Sequence, residues 1–143
     1  MARVKSKDTK PELFVRQLLT RLGFRYQLHR KDLPGSPDIV IQKYHLVINV
    51  NGCFWHGCEK CKHASIMPVT NNAYWVNKIR QNVARDQKNR RLLVELGWSV
   101  IDIWECETKD SEIPRIMCNL SSVITSNGDV LPKPFQNYSN QNN

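Results

Sequence analysis

The sequence contains no run of about 18 apolar residues, the length that a membrane-spanning helix needs, and no apolar signal-peptide core at its start. It also lacks an internal repeat and a linker, and its 143 residues leave room for one core. These absences argue against a helical membrane protein and against two domains. We expect one cytoplasmic domain over residues 1–130 and a polar, Asn-rich C-terminal tail over 131–143 that is frayed.

Acidic residues are scarce relative to basic ones, with 13 Asp and Glu against 21 Lys and Arg and a net charge of +8. The excess lies in two blocks: residues 1–31 hold nine basic and two acidic residues, and residues 78–91 hold six and one. Two such blocks in a small domain suit a polyanion, because neutralised phosphates release counterions. Solvated helix faces would give the same pattern, so charge alone leaves both interpretations open.

Hydrophobic periodicity predicts the element order α-β-β-β-α-β-α. Thr9 and Glu12 form a capping-box pattern at the start of the first helix, which Gly23 can end. The later strands and helices are predicted at residues 24–28, 38–42, 44–50, 73–96, 98–104 and 112–124. A helical crossover after three strands favours the α/β class, with a mixed β-sheet flanked by helices.

The few cysteines are clustered, and they stand at positions 53, 58, 61, 106 and 118. Disulfides are not expected in a cytosolic chain, and Cys58-x-x-Cys61 has the spacing that lets one turn supply two tetrahedral ligands. With Cys53 and Cys106 these thiols predict a structural Zn²⁺ that staples the loop. His63 is an alternative to Cys61, and a redox pair is the competing interpretation. The fifth cysteine lies on an amphipathic helix and is expected in the core.

Asp38 follows Pro37 where a turn meets a buried strand, a place suited to holding a hard cation such as Mg²⁺. Pro-Asp is the first half of a nuclease signature whose second half, an acid and a lysine, should fall on the next strand. That strand reads Asn49-Val50-Asn51 and supplies neither. His56 could activate water or protonate a leaving oxygen in place of the lysine. A turn-capping Asp38 and a zinc-binding His56 are the alternatives.

Adjacent aromatic residues occur twice, as Phe54-Trp55 in the cysteine-rich loop and as Tyr74-Trp75 at the start of the basic helix. Aromatic side chains beside basic groups can wedge between base pairs and unstack them. The energetic cost of this is lowest at a mismatch. The alternative is that Trp55 and Trp75 pack together as a second core.

Four segments together resemble the Vsr family of very-short-patch repair endonucleases, in order and with family-like spacing over about residues 1–106. They are Leu33-Pro-Gly-Ser-Pro-Asp-Ile-Val, Val50-Asn-Gly-Cys-Phe-Trp-His, Tyr74-Trp-Val-Asn-Lys-Ile-Arg-Gln-Asn-Val-Ala-Arg-Asp and Leu96-Gly-Trp-Ser-Val-Ile-Asp-Ile-Trp-Glu-Cys106. The resemblance implies a restriction-endonuclease-like fold with a structural zinc. It also implies Mg²⁺-dependent hydrolysis of one DNA strand 5′ to the thymine of a T·G mispair, which arises by deamination of 5-methylcytosine.

The resemblance also implies roles for individual residues. Asp38 and the backbone carbonyl of Val50 match the Mg²⁺ ligands, His56 matches the catalytic histidine, and Glu12 matches an active-site glutamate. The zinc positions matched are Cys53, Cys58 and Cys106. Phe54, Trp55 and Trp75 match the intercalating aromatic residues. The two basic blocks, not the resemblance, add Arg3, Lys5, Lys7, Lys78, Arg80 and Arg85 as residues expected to contact DNA. Two departures from the family pattern leave questions open. Asn51 stands where a second histidine often occurs, so its role is undecided. The spacing after Cys58 is one residue longer than usual, which leaves open whether Cys61 or His63 is the fourth zinc ligand.

The sequence therefore predicts an enzyme that nicks double-stranded DNA at a T·G mismatch. A restriction-type enzyme that cuts matched DNA is one alternative, against which the aromatic pairs argue. A non-catalytic zinc-dependent DNA-binding module is another, suggested by the missing acid and lysine. One nick needs one active site, so we expect a monomer, with mismatch-repair proteins as further candidate partners and no membrane association.

Overall fold

The predicted succession of elements is present, with a further helix at the C-terminal end. The computed structural model describes residues 9–52 and 72–141. The helices in these ranges are α1 (Lys10–Arg21), α2 (Asn72–Glu95), α3 (Ile113–Ser126) and α4 (Lys133–Gln141). The strands are β1 (Gln27–Leu28), β2 (Ile39–Ile41), β3 (Leu46–Asn51) and β4 (Ser99–Trp104). No helix within the described residues is both long and apolar enough to cross a membrane.

Helix α1 begins as its sequence predicts. The amide nitrogen of Glu12 donates to Thr9 Oγ1 at 3.3 Å, which satisfies one of the amides that a helix start leaves unpaired. Gly23 follows the helix with a φ of +88°, a conformation that favours glycine. Leu13 is 40% exposed and so lies outside the buried stripe of the helix, which contains Val15, Leu18 and Leu19.

The four strands form one mixed sheet in the order β1-β2-β3-β4. Strand β2 pairs antiparallel with both β1 and β3, whereas β3 pairs parallel with β4 across the α2 crossover. The parallel register sets Asn51 opposite Trp104. Both strands therefore end at the same edge of the sheet, and this edge also carries the start of β2.

Side chains that alternate along the strands divide the interior into two cores. Ile39, Ile41 and Ile48 belong to a large core with the buried sides of α1 and α3, a side that we call the α1/α3 face. Val40 and Val47 point the other way and pack with Leu93 of α2, on the α2 face. The predicted sheet flanked by helices is thus confirmed as an α/β/α arrangement.

The expectation of a frayed C-terminal tail differs from the structure, because residues 133–141 form α4. Phe135 is 2% exposed and its ring meets that of Phe24 edge to face, with 6.0 Å between centroids. Tyr44 also donates from its hydroxyl to the Val130 carbonyl at 2.9 Å. Phe135, together with Leu131 just ahead of the helix, packs this largely polar segment on the large core.

The expectation that Cys118 lies in the core is wrong, since its side chain is exposed. Helix α3 turns Met117 and Leu120 inward instead. Cys118 therefore falls on the solvent side of the helix, one position beyond the buried stripe.

Candidate active site

Asp38 is fixed by backbone contacts on both sides at the point where the chain enters β2. Its Oδ2 accepts a hydrogen bond from the Val50 amide nitrogen at 2.9 Å, which ties the carboxylate to β3. Its carbonyl oxygen accepts from the His29 amide nitrogen at 3.0 Å, which extends the pairing of β1 with β2. The carboxylate is half-buried and lies at the sheet edge, as the sequence predicts.

Glu12 supplies a second carboxylate from helix α1. It is only 2% exposed, and burial of a charge is costly unless the charge is paired. Arg16 lies one turn along the helix, with its Nη2 3.0 Å from Glu12 Oε2, and His29 Nε2 lies 3.3 Å from Oε1. A second acid thus lies close to Asp38, on the first turn of a helix and not on the neighbouring strand.

His29 is a site residue that the sequence reasoning missed. Ligand atoms of Glu12, His29 and Asp38 all lie within 4.8 Å of one another. The register that pairs Leu28 with Ile39 sets His29 opposite Asp38. The signal was present in the sequence: a histidine comes directly after one strand and an aspartate directly before the next, so a hairpin would bring them together.

The donor set of this cluster fits a divalent cation. Two carboxylates and an imidazole nitrogen converge from three different elements, and such oxygen and nitrogen donors bind divalent metals. The predicted ligand Asp38 and the predicted active-site Glu12 are therefore brought together. Val50 is adjacent, but the contact observed joins its amide nitrogen to Asp38, so a metal contact from its carbonyl stays a prediction.

A cleft of about 770 Å³ opens beside Asp38, between the turn that precedes β2, the ends of β3 and β4, and helix α2. Asn51, whose role the sequence left open, lines it together with Asp38 and Trp104. Arg85 lines the opposite wall, and Gly35 packs against α2 so closely that a Cβ there would lie 2.8 Å from Asn89 Nδ2. Lys78 and Arg80 are exposed on the same helix.

A polar network that the sequence did not indicate spans the floor of the cleft. Arg90 of α2 pairs with Asp102 in the middle of β4, and Asn49 Nδ2 donates to Asp102 Oδ1 at 3.3 Å. Arg85 donates to the buried Asn82 at 3.0 Å. An acidic residue in the middle of an apolar strand was the available signal, because such a residue needs a cation from a neighbouring element.

Trp75 is half-buried near the start of α2. Its ring meets that of Tyr74 edge to face, with centroids 5.2 Å apart, and Tyr74 is 60% exposed. Cys106 is also half-buried and follows β4 directly, in the short 3₁₀ helix Glu105–Glu107. Both positions agree with the predicted order of elements. The predicted roles, in the aromatic wedge for Trp75 and in zinc binding for Cys106, also involve residues outside the described ranges and stay predictions.

Several predicted site residues lie outside the described residues and stay predictions. They comprise the catalytic histidine, zinc ligands, two aromatic residues and the basic residues ahead of α1: His56, Cys53, Cys58, Cys61 and its alternative His63, Phe54, Trp55, Arg3, Lys5 and Lys7.

Comparison with known proteins identifies the family. The family model described as DNA mismatch endonuclease Vsr matches residues 1–63. The type II nicking enzyme V.XorIIP of Xanthomonas oryzae pv. oryzae is 48% identical over 110 residues, which cover 77% of this chain and 79% of that relative. The type II nicking enzyme V.NmeAIP of Neisseria meningitidis is 44% identical over 119 residues, covering 83% and 84%. The DNA mismatch endonuclease Vsr of Escherichia coli is 38% identical over 114 residues, covering 78% and 70%.

The helix-flanked mixed sheet is compatible with the nuclease fold, and the chain belongs to the Vsr family of DNA endonucleases.

Proposed function

We propose that the protein nicks one strand of double-stranded DNA 5′ to the thymine of a T·G mismatch, in a Mg²⁺-dependent reaction that starts very-short-patch repair of deaminated 5-methylcytosine. The observation that carries this proposal is the convergence of Glu12 and Asp38 beside a cleft whose opposite wall is a basic helix. The similarity to nicking enzymes and to a mismatch endonuclease supports the same reaction.

The residues that would hold Mg²⁺ are Asp38, the Val50 carbonyl and Glu12. When bound, the ion polarises the scissile phosphate and stabilises the charge that develops on its oxygens. Asp38 contributes a carboxylate whose orientation is fixed by the Val50 amide. Glu12 contributes a second negative charge that its contacts with Arg16 and His29 keep in place.

His56 is proposed to handle the proton, as the base that activates water or as the acid that protonates the leaving oxygen. This role rests on the sequence, in which His56 follows β3 by five residues. Val50 lies near the end of β3 and contacts Asp38. The chain therefore leaves β3 at the sheet edge where Asp38 lies, five residues before His56. No lysine is then required on β3.

Contact with DNA is proposed for the exposed basic side of α2 and for the basic residues that precede α1. Lys78, Arg80 and Arg85 would neutralise phosphates, which positions the duplex without reading its sequence. Trp75, together with Phe54 and Trp55, is proposed to form an aromatic wedge. A wedge of this kind favours a mispaired site, because less stacking and pairing energy is lost there.

A structural Zn²⁺ bound by Cys53, Cys58, Cys61 and Cys106 is proposed to hold the loop that carries the wedge. Support comes from the register of the parallel strands: Asn51 lies opposite Trp104, so the chain reaches position 53 and position 106 from the same sheet edge. Metal analysis of the purified chain should find about one zinc per molecule. A zinc-free, folded protein would contradict the staple.

The experiment that tests the reaction uses the full chain with Mg²⁺ and end-labelled duplexes that carry a T·G mispair or a T·A pair within randomised flanks. Nicking is expected at the T·G duplex and is expected to stop with EDTA. Asp38→Asn removes a charge from the site, and we expect a loss of about a thousandfold or more in nicking, with duplex binding retained in EDTA. Asp32→Asn, the same change on an exposed residue, is the matched control and should nick normally.

Two results would contradict the proposal in different ways. Equal cleavage of the T·G and T·A duplexes would favour a restriction-type enzyme, and normal nicking by Asp38→Asn would remove the carboxylate from the reaction. One active site makes one nick, so activity should scale linearly with enzyme concentration if a monomer acts.

A further inference from the structure

We infer that His29 is a third side-chain ligand of the active-site metal and that it makes the site prefer Mn²⁺ over Mg²⁺. The inference deepens the proposed function, because it concerns the same carboxylates. It is tested by metal binding in the absence of DNA, so its outcome does not depend on which duplex the enzyme cuts.

The geometry of the cluster is that of a nearly formed metal site. Ligand atoms of Glu12, His29 and Asp38 lie within 4.8 Å of one another, and His29 Nε2 is 3.3 Å from Glu12 Oε1. Two ligands on opposite sides of an ion at about 2.1 Å are about 4.2 Å apart, and adjacent ligands are about 3 Å apart. Small side-chain rotations would therefore bring all three donors into a shared coordination shell.

The backbone holds His29 in this position at a conformational cost. Its φ is +49°, in the left-handed region that non-glycine residues seldom occupy. The same residue donates its amide hydrogen to the Asp38 carbonyl, which fixes its distance from the carboxylate that it accompanies. A strained residue beside a predicted metal ligand is typical of a site whose geometry serves binding rather than packing.

The surroundings of the ring suit a ligand nitrogen. Arg16 Nη2 lies 3.4 Å from His29 Nε2, and a guanidinium group can only donate. Whether Nε2 accepts in this contact depends on the tautomer of the ring. Nε2 has a single lone pair, so a metal ion bound there would displace Arg16, which keeps its hydrogen bond to Glu12 Oε2 at 3.0 Å. A cation beside Nε2 and Glu12 Oε1, which lie 3.3 Å apart, would attract the lone pair and the carboxylate together.

The nature of the donors gives the ion preference. Mg²⁺ is bound mainly by oxygen ligands and retains several waters, so an imidazole adds little to its binding. Transition ions accept imidazole nitrogen together with carboxylate oxygen. A set of two carboxylates and one imidazole should therefore bind Mn²⁺ at least about tenfold more tightly than Mg²⁺.

The test is Mn²⁺ binding to the zinc-containing full chain, followed by loss of the electron paramagnetic resonance signal of unbound Mn²⁺ and by competition with Mg²⁺. His29→Asn keeps a residue that tolerates a left-handed backbone and replaces the nitrogen donor with an amide oxygen. We expect Mn²⁺ affinity to fall about tenfold and Mg²⁺ affinity to change by less than about threefold. The matched control is His45→Asn, since His45 has a φ of +50° and its ring lies at a tilted angle beside Trp98, at the other end of β2 from Asp38.

Pulsed electron paramagnetic resonance then distinguishes ligation from a structural role. A directly bound imidazole nitrogen should modulate the Mn²⁺ signal in the wild type and in His45→Asn but not in His29→Asn. Persistence of that modulation in His29→Asn, or wild-type Mn²⁺ affinity of this variant, would overturn the assignment of His29 as a ligand and would leave the proposed function intact. Asp38→Asn should lose binding of both ions. Retention of both would remove the metal from this edge and would overturn the proposed Mg²⁺ site as well.

Discussion

The two faces of the β-sheet are covered by very different interiors. On the α1/α3 face, two helices and the start of α4 bury a continuous apolar core that includes Leu18, Leu120 and Phe135. On the α2 face, one helix is held by a small core around Val40, Val47 and Leu93, beside the cleft and its polar network. Apolar burial is the main source of folding stability, so one face holds the protein together and the other leaves room for a substrate.

The difference also explains how one helix can carry so much charge. Helix α2 places Leu93 against the sheet near its C-terminal end and keeps exposed basic residues along most of its length. A helix with few apolar anchors is less stable locally than one embedded in a large core. Helix α2, whose basic side is proposed to contact DNA, is therefore attached through a smaller apolar core than α1 and α3.

The largest expected effect is on the α1/α3 face. Leu18→Ala removes a fully buried side chain from the large core and should lower the free energy of unfolding by about 2–5 kcal/mol. Leu93→Ala should fall at the low end of that range, because its core has fewer apolar neighbours. Urea denaturation gives both values.

Hydrogen exchange would sharpen this comparison. In Leu93→Ala we expect faster exchange confined to α2, whereas Leu18→Ala should accelerate exchange throughout the described elements. If both variants lost the same stability and opened the whole chain equally, the two faces would have to be treated as one cooperative unit.

A smaller effect is expected where the cleft is closed by a turn. Gly35→Ala places a Cβ 2.8 Å from Asn89 Nδ2 at a φ of +78°, so the turn and the Asn89 side chain must shift relative to each other. Gly97→Ala, at a φ of +93° with no atom within 4 Å of the new Cβ, shares the backbone strain without the clash. We expect Gly97→Ala to cost about 1 kcal/mol and Gly35→Ala about 2 kcal/mol.

Nicking should separate the same two glycine variants. Only Gly35→Ala disturbs the segment that leads into Asp38, so it should lower the nicking rate while Gly97→Ala leaves it unchanged. Equal activity of the two variants would show that the turn does not set the position of the carboxylate.

The smallest effect is expected at the rim of the α2 face, where Arg30 lies over the Trp98 ring and donates to Asp32 at 3.0 Å. The hydrogen bond from Arg30 lowers the pKa of Asp32 below its usual value of 3.8. The resulting stabilisation is present above that value and is lost as the pH falls through the lower folded-state pKa. Asp32→Asn should therefore lower the melting temperature marginally at neutral pH and not at all well below pH 3.8. A larger loss at acid pH than at neutral pH would contradict this sign.

The sequence predicted the elements well because their signals are local. The cap at Thr9, the buried strand at Ile39–Ile41 and the long basic helix depend on neighbours within a few residues. Asp38 was also identifiable, since its turn and strand are adjacent in the chain. His29 and Asp102 were missed because their meaning depends on partners from other elements, Glu12 in one case and Arg90 in the other.

Helix α4 was missed for a related reason. Its composition is polar, and the attraction that orders it is the contact of Phe135 with Phe24, more than a hundred residues earlier. For Cys118 the helix itself was predicted correctly, but the burial of the side chain was not. Cys118 is exposed although its neighbour Met117 is buried, because adjacent positions of a helix point in different directions. Periodicity locates an element more reliably than it assigns a single position at the edge of a buried stripe.

The position of Glu12 determines at what stage of folding the proposed nuclease site is assembled. Its carboxylate reaches Asp38 from a helix that docks through the largest apolar core, so the pair of acids is complete only once that docking has occurred. A chain in which α1 has not docked therefore lacks the assembled pair of acids. Under the proposed function such a chain would not cut DNA, so hydrolysis would wait until the α1/α3 core has formed.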